Sequence, residues 1–338
     1  MTVRSFISGC ATVALAQNEI QFFTKANPWG LILFKRNCES PDQIRNLTAQ
    51  FRAAVGRKDA PVFIDQEGGR IQRLGPPSNY WRKYPAAMEY GKQYDRCPSL
   101  AIRTARSVGR LMADDLNEIG ITSSCLPVLD VPQPGAHDVI GSRAYSMRPE
   151  QIMILARAHT VGLMEGGVLP VMKHIPGHGR AEVDSHHNLP IVKSLRVDLE
   201  RIDFLPFVSF ADCPMAMTAH VIYEALDKDY PATLSRKVIK NVVRKLIGFD
   251  GLLITDDLSM KALQGTFTEK SQMALAAGCD MLLHCNGVMS EMEEVAEAAV
   301  PLAGKAMRRA KQALRAKRKP LPYDKKQALN ELEAILSV

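Results

Sequence analysis

Short apolar runs of strand length recur along the chain, and each gives way to a stretch with helical spacing. Eight such units can be counted, at residues 6–9, 30–34, 61–65, 121–127, 168–174, 215–220, 252–256 and 280–285. Ser40-Pro41-Asp42-Gln43 opens one of the intervening helices, which runs through Leu47 to Val55: serine caps free N–H groups and proline suits the first helical turn. Other helices are expected from Leu15 onward, from about Leu100 to Ile119, from Glu150 to Glu165, and from Leu199 to Phe210 with an interruption at Pro206. Strands alternating with helices imply a parallel sheet covered by helices, an α/β fold. Eight units in 338 residues favour a closed (β/α)8 barrel of the TIM type. An open, doubly wound sheet is the rival, but no GxGxxG fingerprint follows the first strand. No linker parts the chain, so one barrel domain is expected over 1–338, with a basic helix and tail from about 300 to 338.

The strand ends break the apolar pattern. In a TIM barrel the C-terminal ends of the strands converge on one pocket, and here they carry Asp65, Asp130, Lys173, His174, His220 and Asp256, with His284 at the edge of the set. Packing does not ask for so many polar groups in one place. The fifth unit runs into Lys173-His174-Ile175-Pro176-Gly177-His178-Gly179-Arg180 and on to Asp184-Ser185-His186-His187, a loop holding four of the eight histidines. Such titratable material at a barrel mouth predicts an enzyme.

Composition narrows the setting. Hydrophobic residues make up 46% and charged residues 23%, as in an ordinary soluble globular protein. The seven cysteines show no CxxC spacing, which sets aside zinc-ribbon and iron–sulfur classes and suits reduced thiols in a cytoplasmic protein. Met1 to Ala16 is too interrupted for a signal peptide and too short to span a bilayer. The net charge of +7 is local: ten Lys and Arg between Lys305 and Lys326 face the single Asp324, leaving the rest of the chain at −2. No aromatic residues interleave that cluster and no recognition module precedes it. The expectation is therefore a solvated basic helix on a monomer, with neither a nucleic-acid nor a membrane partner.

Two chemistries fit the polar loop. A metal-dependent hydrolase could draw ligands from His174, His178, Asp184 and His186, although Pro176 and Gly177 exclude the helical histidine pair of HExxH proteases. Glycoside hydrolysis instead needs a carboxylate on one side of the anomeric carbon and a proton donor on the other. Asp256, at the end of a very apolar strand, is a rigid carboxylate. Asp184-Ser185-His186 pairs an aspartate with a histidine, a residue type that titrates near neutrality and can give and take a proton.

Five stretches carry a family resemblance. Residues 65–73 (DQEGGRIQR), 141–145 (GSRAY), 173–179 (KHIPGHG), 184–186 (DSH) and 254–260 (ITDDLSM) together resemble the bacterial β-N-acetylhexosaminidases of glycoside hydrolase family 3. Within that family they are similar to the compact cytoplasmic β-N-acetylglucosaminidases of peptidoglycan recycling. The resemblance implies Asp256 as nucleophile, His186 as acid/base supported by Asp184, and a sugar subsite of Asp65, Arg73, Arg143, Lys173 and His174. It implies retention of configuration, no cofactor and no metal, with GlcNAc-1,6-anhydroMurNAc muropeptides as substrate. Ile175 replaces the family's usual phenylalanine and Thr255 its usual serine, and neither change removes a catalytic group. Plainer roles are expected nearby: Asp257 as the cap of a following helix, Glu67 as a structural residue, His178 and His187 as loop scaffold, and His220 and His284 in rim hydrogen-bond networks.

Overall fold

The computed structural model describes residues 2–337. Eight parallel strands close into a barrel in sequential order: β1 Arg4–Ser8, β2 Pro28–Leu33, β3 Val62–Ile64, β4 Ser123–Ser124, β5 Leu169–Ile175, β6 Met215–Thr218, β7 Leu252–Asp257 and β8 Met281–His284. Each coincides with one of the eight apolar runs, and β1 pairs with β8 to seal the ring through Phe6–Leu282 and Ser8–His284.

Alternation along the strands decides what fills the barrel and what rises from its mouth. Leu252 and Ile254 of β7 face inward beside Phe63 of β3 and Met215 and Met217 of β6. Full burial of such side chains is worth about 1.5–3 kcal/mol each. A period of two then carries the inward face from Ile254 to Asp256 and from Phe63 to Asp65, which stations both carboxylates above the apolar plug. A larger cluster, with Phe23, Phe51, Leu111 and Phe207, lies between the barrel and its helices.

Helices α1 Gln17–Ala26, α2 Pro41–Ala54, α3 Ala87–Arg96, α4 Pro98–Glu118, α5 Pro149–Glu165, α6 Phe267–Ala277 and α7 Met289–Ala298 surround the barrel. At the start of α2, Ser40 Oγ accepts from Gln43 N–H at 3.3 Å, the cap its sequence predicts. The expected helix over 199–210 is divided: a π-helical run, Leu199–Asp203, precedes a short α-helix, Leu205–Ser209, so Pro206 begins a segment instead of interrupting one. Helix α3 is absent from the sequence reading because its apolar positions are diluted by Glu89, Lys92, Gln93 and Asp95.

The basic segment forms helix α8, Gly304–Arg315, and is followed by α9, Lys325–Leu336. Ala310 and Ala313 of α8 pack with Leu169 and Trp29, so α8 lies across the N-terminal end of the barrel, opposite the polar mouth. Among the described residues, no helix is long and apolar enough to cross a membrane, and all seven cysteines are free thiols.

Candidate active site

At the C-terminal end of the strands lies a cavity of about 100 Å³ lined by Asp65, Glu67, Arg73, Arg143, Lys173, His174, His186 and Asp256, with Phe34, Met217 and Met260 as apolar wall. One side of it is a chain of alternating charges. Arg73 Nη2 donates to Asp65 at 2.9 Å, and Lys173 Nζ donates to the other Asp65 oxygen, also at 2.9 Å. Lys173 reaches on to Glu67 at 2.6 Å, and Glu67 accepts both Nε and Nη2 of Arg143 at 2.9 Å each. Burial alone would raise the pKa of Asp65 and Glu67. The facing Lys173, Arg73 and Arg143 overcome it and hold both carboxyl groups below their ordinary values. Arg73 also lies over the Phe34 ring, 5.0 Å from its centroid.

Asp256 stands apart from this chain. Its Oδ1 accepts from Asp257 N–H at 2.8 Å, while Oδ2 takes no hydrogen bond among the described residues and opens on the cavity. Burial pushes its pKa up, but His174, His220, the Asp257 N–H and Lys173 outweigh that and keep it below the usual carboxylate value. An ionised oxygen held at a rigid strand end, with one lone-pair face unoccupied, is equipped for nucleophilic attack.

Lys173 and His174 are joined by a cis peptide and both line the cavity. His174 Nδ1 donates to Asp130 Oδ2 at 2.7 Å, and Asp130 Oδ1 accepts from the backbone N–H of His174 and of His178. Asp130 is fully buried and orients His174 without entering the cavity. In the loop beyond, Gly179 passes so close to Val131 that a Cβ would lie 2.0 Å from its carbonyl oxygen, and Gly177 has φ +141°. The loop is pinned by Arg180 Nε on Asp203 at 2.7 Å and by His178 Nε2 on Ser185 Oγ at 3.0 Å. Burial, with His174 nearby, pulls His178 down to about 4, so its ring is neutral scaffold.

His186 is the exposed member of the site. Its Nδ1 donates to Asp184 Oδ1 at 2.7 Å, and the same oxygen accepts the His186 backbone N–H at 2.9 Å. That pairing fixes the tautomer with Nε2 free, on a side chain that is 59% exposed. Burial would raise the Asp184 pKa, but the His186 hydrogen bonds prevail and lower it.

Of the strand-end set, Asp65, Lys173, His174 and Asp256 converge, joined by Arg73, Arg143 and His186 from loops. His220 and His284 do not line the cavity: His220 bonds Thr233 Oγ1 and the Asp257 carbonyl, and His284 bonds Glu291. Asp257 is not a helix cap. It sits at the end of β7 and accepts from Ser259 N–H, Ser259 Oγ and Cys285 N–H, bracing a turn, because no helix begins until Phe267. Glu67, expected as a structural residue, lines the cavity while it braces Lys173 and Arg143. It lies two residues beyond Asp65, and a period of two would have put it on the same face. Among the described residues, no three His, Cys, Asp or Glu side chains converge as metal ligands. His174, His178 and His186 turn instead to Asp130, Ser185 and Asp184.

Known proteins share this fold. The N-terminal domain of glycosyl hydrolase family 3 matches residues 8–316. A β-hexosaminidase of Alkalilimnicola ehrlichii is 38% identical over 290 residues, covering 85% of this chain and 82% of its own. NagZ of Neisseria gonorrhoeae, solved in complex with N-trifluoroacetyl-D-glucosamine, superposes with a TM-score of 0.85 at 31% identity, covering 100% of this chain and 96% of its own. The zinc complex of the same gonococcal protein gives a TM-score of 0.83 at 30% identity with the same coverage. The chain described here therefore belongs to glycosyl hydrolase family 3, alongside its β-hexosaminidases.

Proposed function

We propose that the protein is a retaining exo-β-N-acetylglucosaminidase that removes the non-reducing terminal GlcNAc from GlcNAc-1,6-anhydroMurNAc muropeptides in the cytoplasm. The observation that carries the reading is the pairing of a fixed carboxylate, Asp256 with Oδ2 open to the cavity, with a histidine on a loop whose Nε2 is left free by Asp184. The gonococcal NagZ complex with a glucosamine derivative supports the sugar class.

In this reading Asp256 Oδ2 forms a bond to the anomeric carbon as the bond to the glycosidic oxygen breaks. His186 Nε2–H gives its proton to the departing oxygen, and the Asp184 carboxylate steadies the imidazolium before that transfer. In the second displacement water attacks the same carbon, His186 takes its proton, and the bond to Asp256 breaks. Two inversions leave the configuration retained. Asp65, Arg73, Arg143, Lys173 and His174 hold the sugar hydroxyls and acetamido group. The ionised state of Asp65 strengthens the hydrogen bonds it accepts.

The test is hydrolysis of an aryl β-N-acetylglucosaminide beside the matching β-glucoside, each with a chelator. Preference for the acetamido sugar, undiminished by the chelator, supports the reading. Activity that the chelator removes and zinc restores would transfer the chemistry to a metal-dependent hydrolase. A fluorinated glycosyl trap found by mass on Asp256 separates enzyme nucleophile from attack by the substrate's own acetamido oxygen.

A further inference from the structure

The fold uses only part of the basic segment. Arg308 and Arg309 close on Asp250, Arg309 also meets Asp280, and Lys325 lies 3.7 Å from Asp114. Lys311, Arg315 and Lys317 make no ion pair or side-chain hydrogen bond among the described residues. These three instead line a cavity of about 570 Å³ at the N-terminal end of the barrel, where α8 faces Arg52 in the last turn of α2 and Lys58 and Asp59 in the loop leading to β3. Five cations thus surround one recess, and Asp59 is the single carboxylate among its described lining residues.

Helix dipoles account for only some of this charge. Helices run opposite to the strands, so their carbonyl ends gather at this face and favour cations. Arg52 serves that purpose, donating to the carbonyls of Ala60 at 3.1 Å and Gly120 at 2.7 Å. Lys311 lies in the body of α8, Lys317 beyond its end and Lys58 in a loop, and none of the three reaches a carbonyl among the described residues. Partial desolvation, with the neighbouring Arg52 charge, holds the Lys317 ammonium below its ordinary value. Half-buried Leu314 adds an apolar wall, backed by the buried Ile121 and Leu169.

We propose that this recess binds a small organic anion carrying two or more phosphate groups, of the size of a nucleoside diphosphate. The cations would meet the phosphates, and the apolar wall would take the organic body, in a concavity of the size that small ligands occupy. Nucleic acid is the poorer occupant, because a duplex is a wide, stiff rod that cannot enter a recess of about 570 Å³.

The experiment is calorimetric titration of the full-length protein with ADP and with inorganic diphosphate, at low and at raised salt. The variant Lys311→Gln/Lys317→Gln is titrated alongside, with thermal melting as the check that it folds. Wild-type protein should bind ADP more tightly than diphosphate, and raised salt should weaken both. The folded double variant should lose affinity for ADP by about tenfold or more, as removal of two phosphate contacts requires. No binding to wild type at millimolar ligand, or equal binding by wild type and variant, overturns the proposal. Tighter binding of a short DNA duplex than of ADP, lost in the same variant, overturns it in favour of nucleic acid. If the variant fails to fold, Lys58→Gln, in an exposed loop, carries the same comparison with a smaller expected loss.

Discussion

The Arg143 guanidinium lies fork-on-fork against the Glu67 carboxylate, Nε to Oε2 and Nη2 to Oε1 both at 2.9 Å, with the two side chains 9% and 6% exposed. Glu67 also holds Lys173, so one carboxylate orders two of the proposed sugar-binding cations. Glu67→Gln keeps the shape and removes the charge, leaving Arg143 and Lys173 facing each other with half their compensation. Breaking a buried pair from one side costs about 3–5 kcal/mol. Urea unfolding should register a loss of that order, and KM should rise more than kcat falls. The double variant Glu67→Gln/Arg143→Met should recover part of the stability but none of the KM. Additive losses in the double variant would refute the coupling.

In the proposed mechanism His186 transfers a proton, so the effect of its removal should depend on the leaving group. His186→Ala is expected to slow a disaccharide by about 10²–10⁴-fold and an activated aryl glycoside far less, since a good leaving group departs without a proton. Steady-state kcat/KM for a series of aryl glycosides gives the slope against leaving-group acidity. An unchanged slope would remove histidine from the role. Asp184→Asn should steepen the same slope in a milder form, because the amide still holds Nδ1 but no longer stabilises the imidazolium.

Short apolar runs alternating with helical stretches, and the polar residues that end those runs, are enough to read the barrel and most of its mouth. Both signals are local, and both follow from the barrel's filled interior: Ile254 must point inward, so Asp256 must too. Arg73, Arg143 and His186 lie outside the barrel strands, where no periodicity places them, and only residue chemistry points to them: cations suited to sugar hydroxyls, and an aspartate two residues before a histidine. Asp257 was misread for a related reason. Leu258-Ser259-Met260-Lys261-Ala262-Leu263 after it have a helix-like composition, yet one partner of its carboxylate, Cys285 N–H, lies 28 positions away beyond the neighbouring strand's end. The 199–210 helix divides just after Asp203, whose partner Arg180 lies 23 positions away, beyond the reach of a local pattern.

Asp65 makes a prediction in pH. Its folded-state pKa lies below the ordinary 3.8 because Lys173 and Arg73 outweigh burial. A depressed carboxylate contributes stability that is present above the unfolded value and lost as pH falls through the folded one. The unfolding free energy of wild type minus that of Asp65→Asn should therefore be constant from neutrality down to about pH 5. It should shrink on further acidification below 3.8. Urea titrations at a series of pH values measure the difference, and a flat difference down to the acid limit would mean that Asp65 is not ion-paired in solution.

Asp203 should show the opposite sign. It is 1% exposed, and burial raises its pKa from 3.8 to about 6 even though Arg180 lies 2.7 Å away. Between those two values the folded protein binds more protons than the unfolded chain, so wild-type stability from this group falls as pH rises and levels off above about 6. At about 1.4 kcal/mol per pKa unit the change amounts to about 3 kcal/mol. Asp203→Asn removes the titrating group. The Arg180 it leaves unpaired adds an offset that does not vary with pH, so the stability of this variant relative to wild type should improve by up to about 3 kcal/mol from about pH 4 to about pH 7. The loop that Arg180 anchors carries His186, so the same substitution should lower kcat/KM at every pH while leaving Asp256 available to a glycosyl trap. A relative stability independent of pH would show that Arg180 keeps Asp203 ionised throughout, and that the anchor is a simple ion pair.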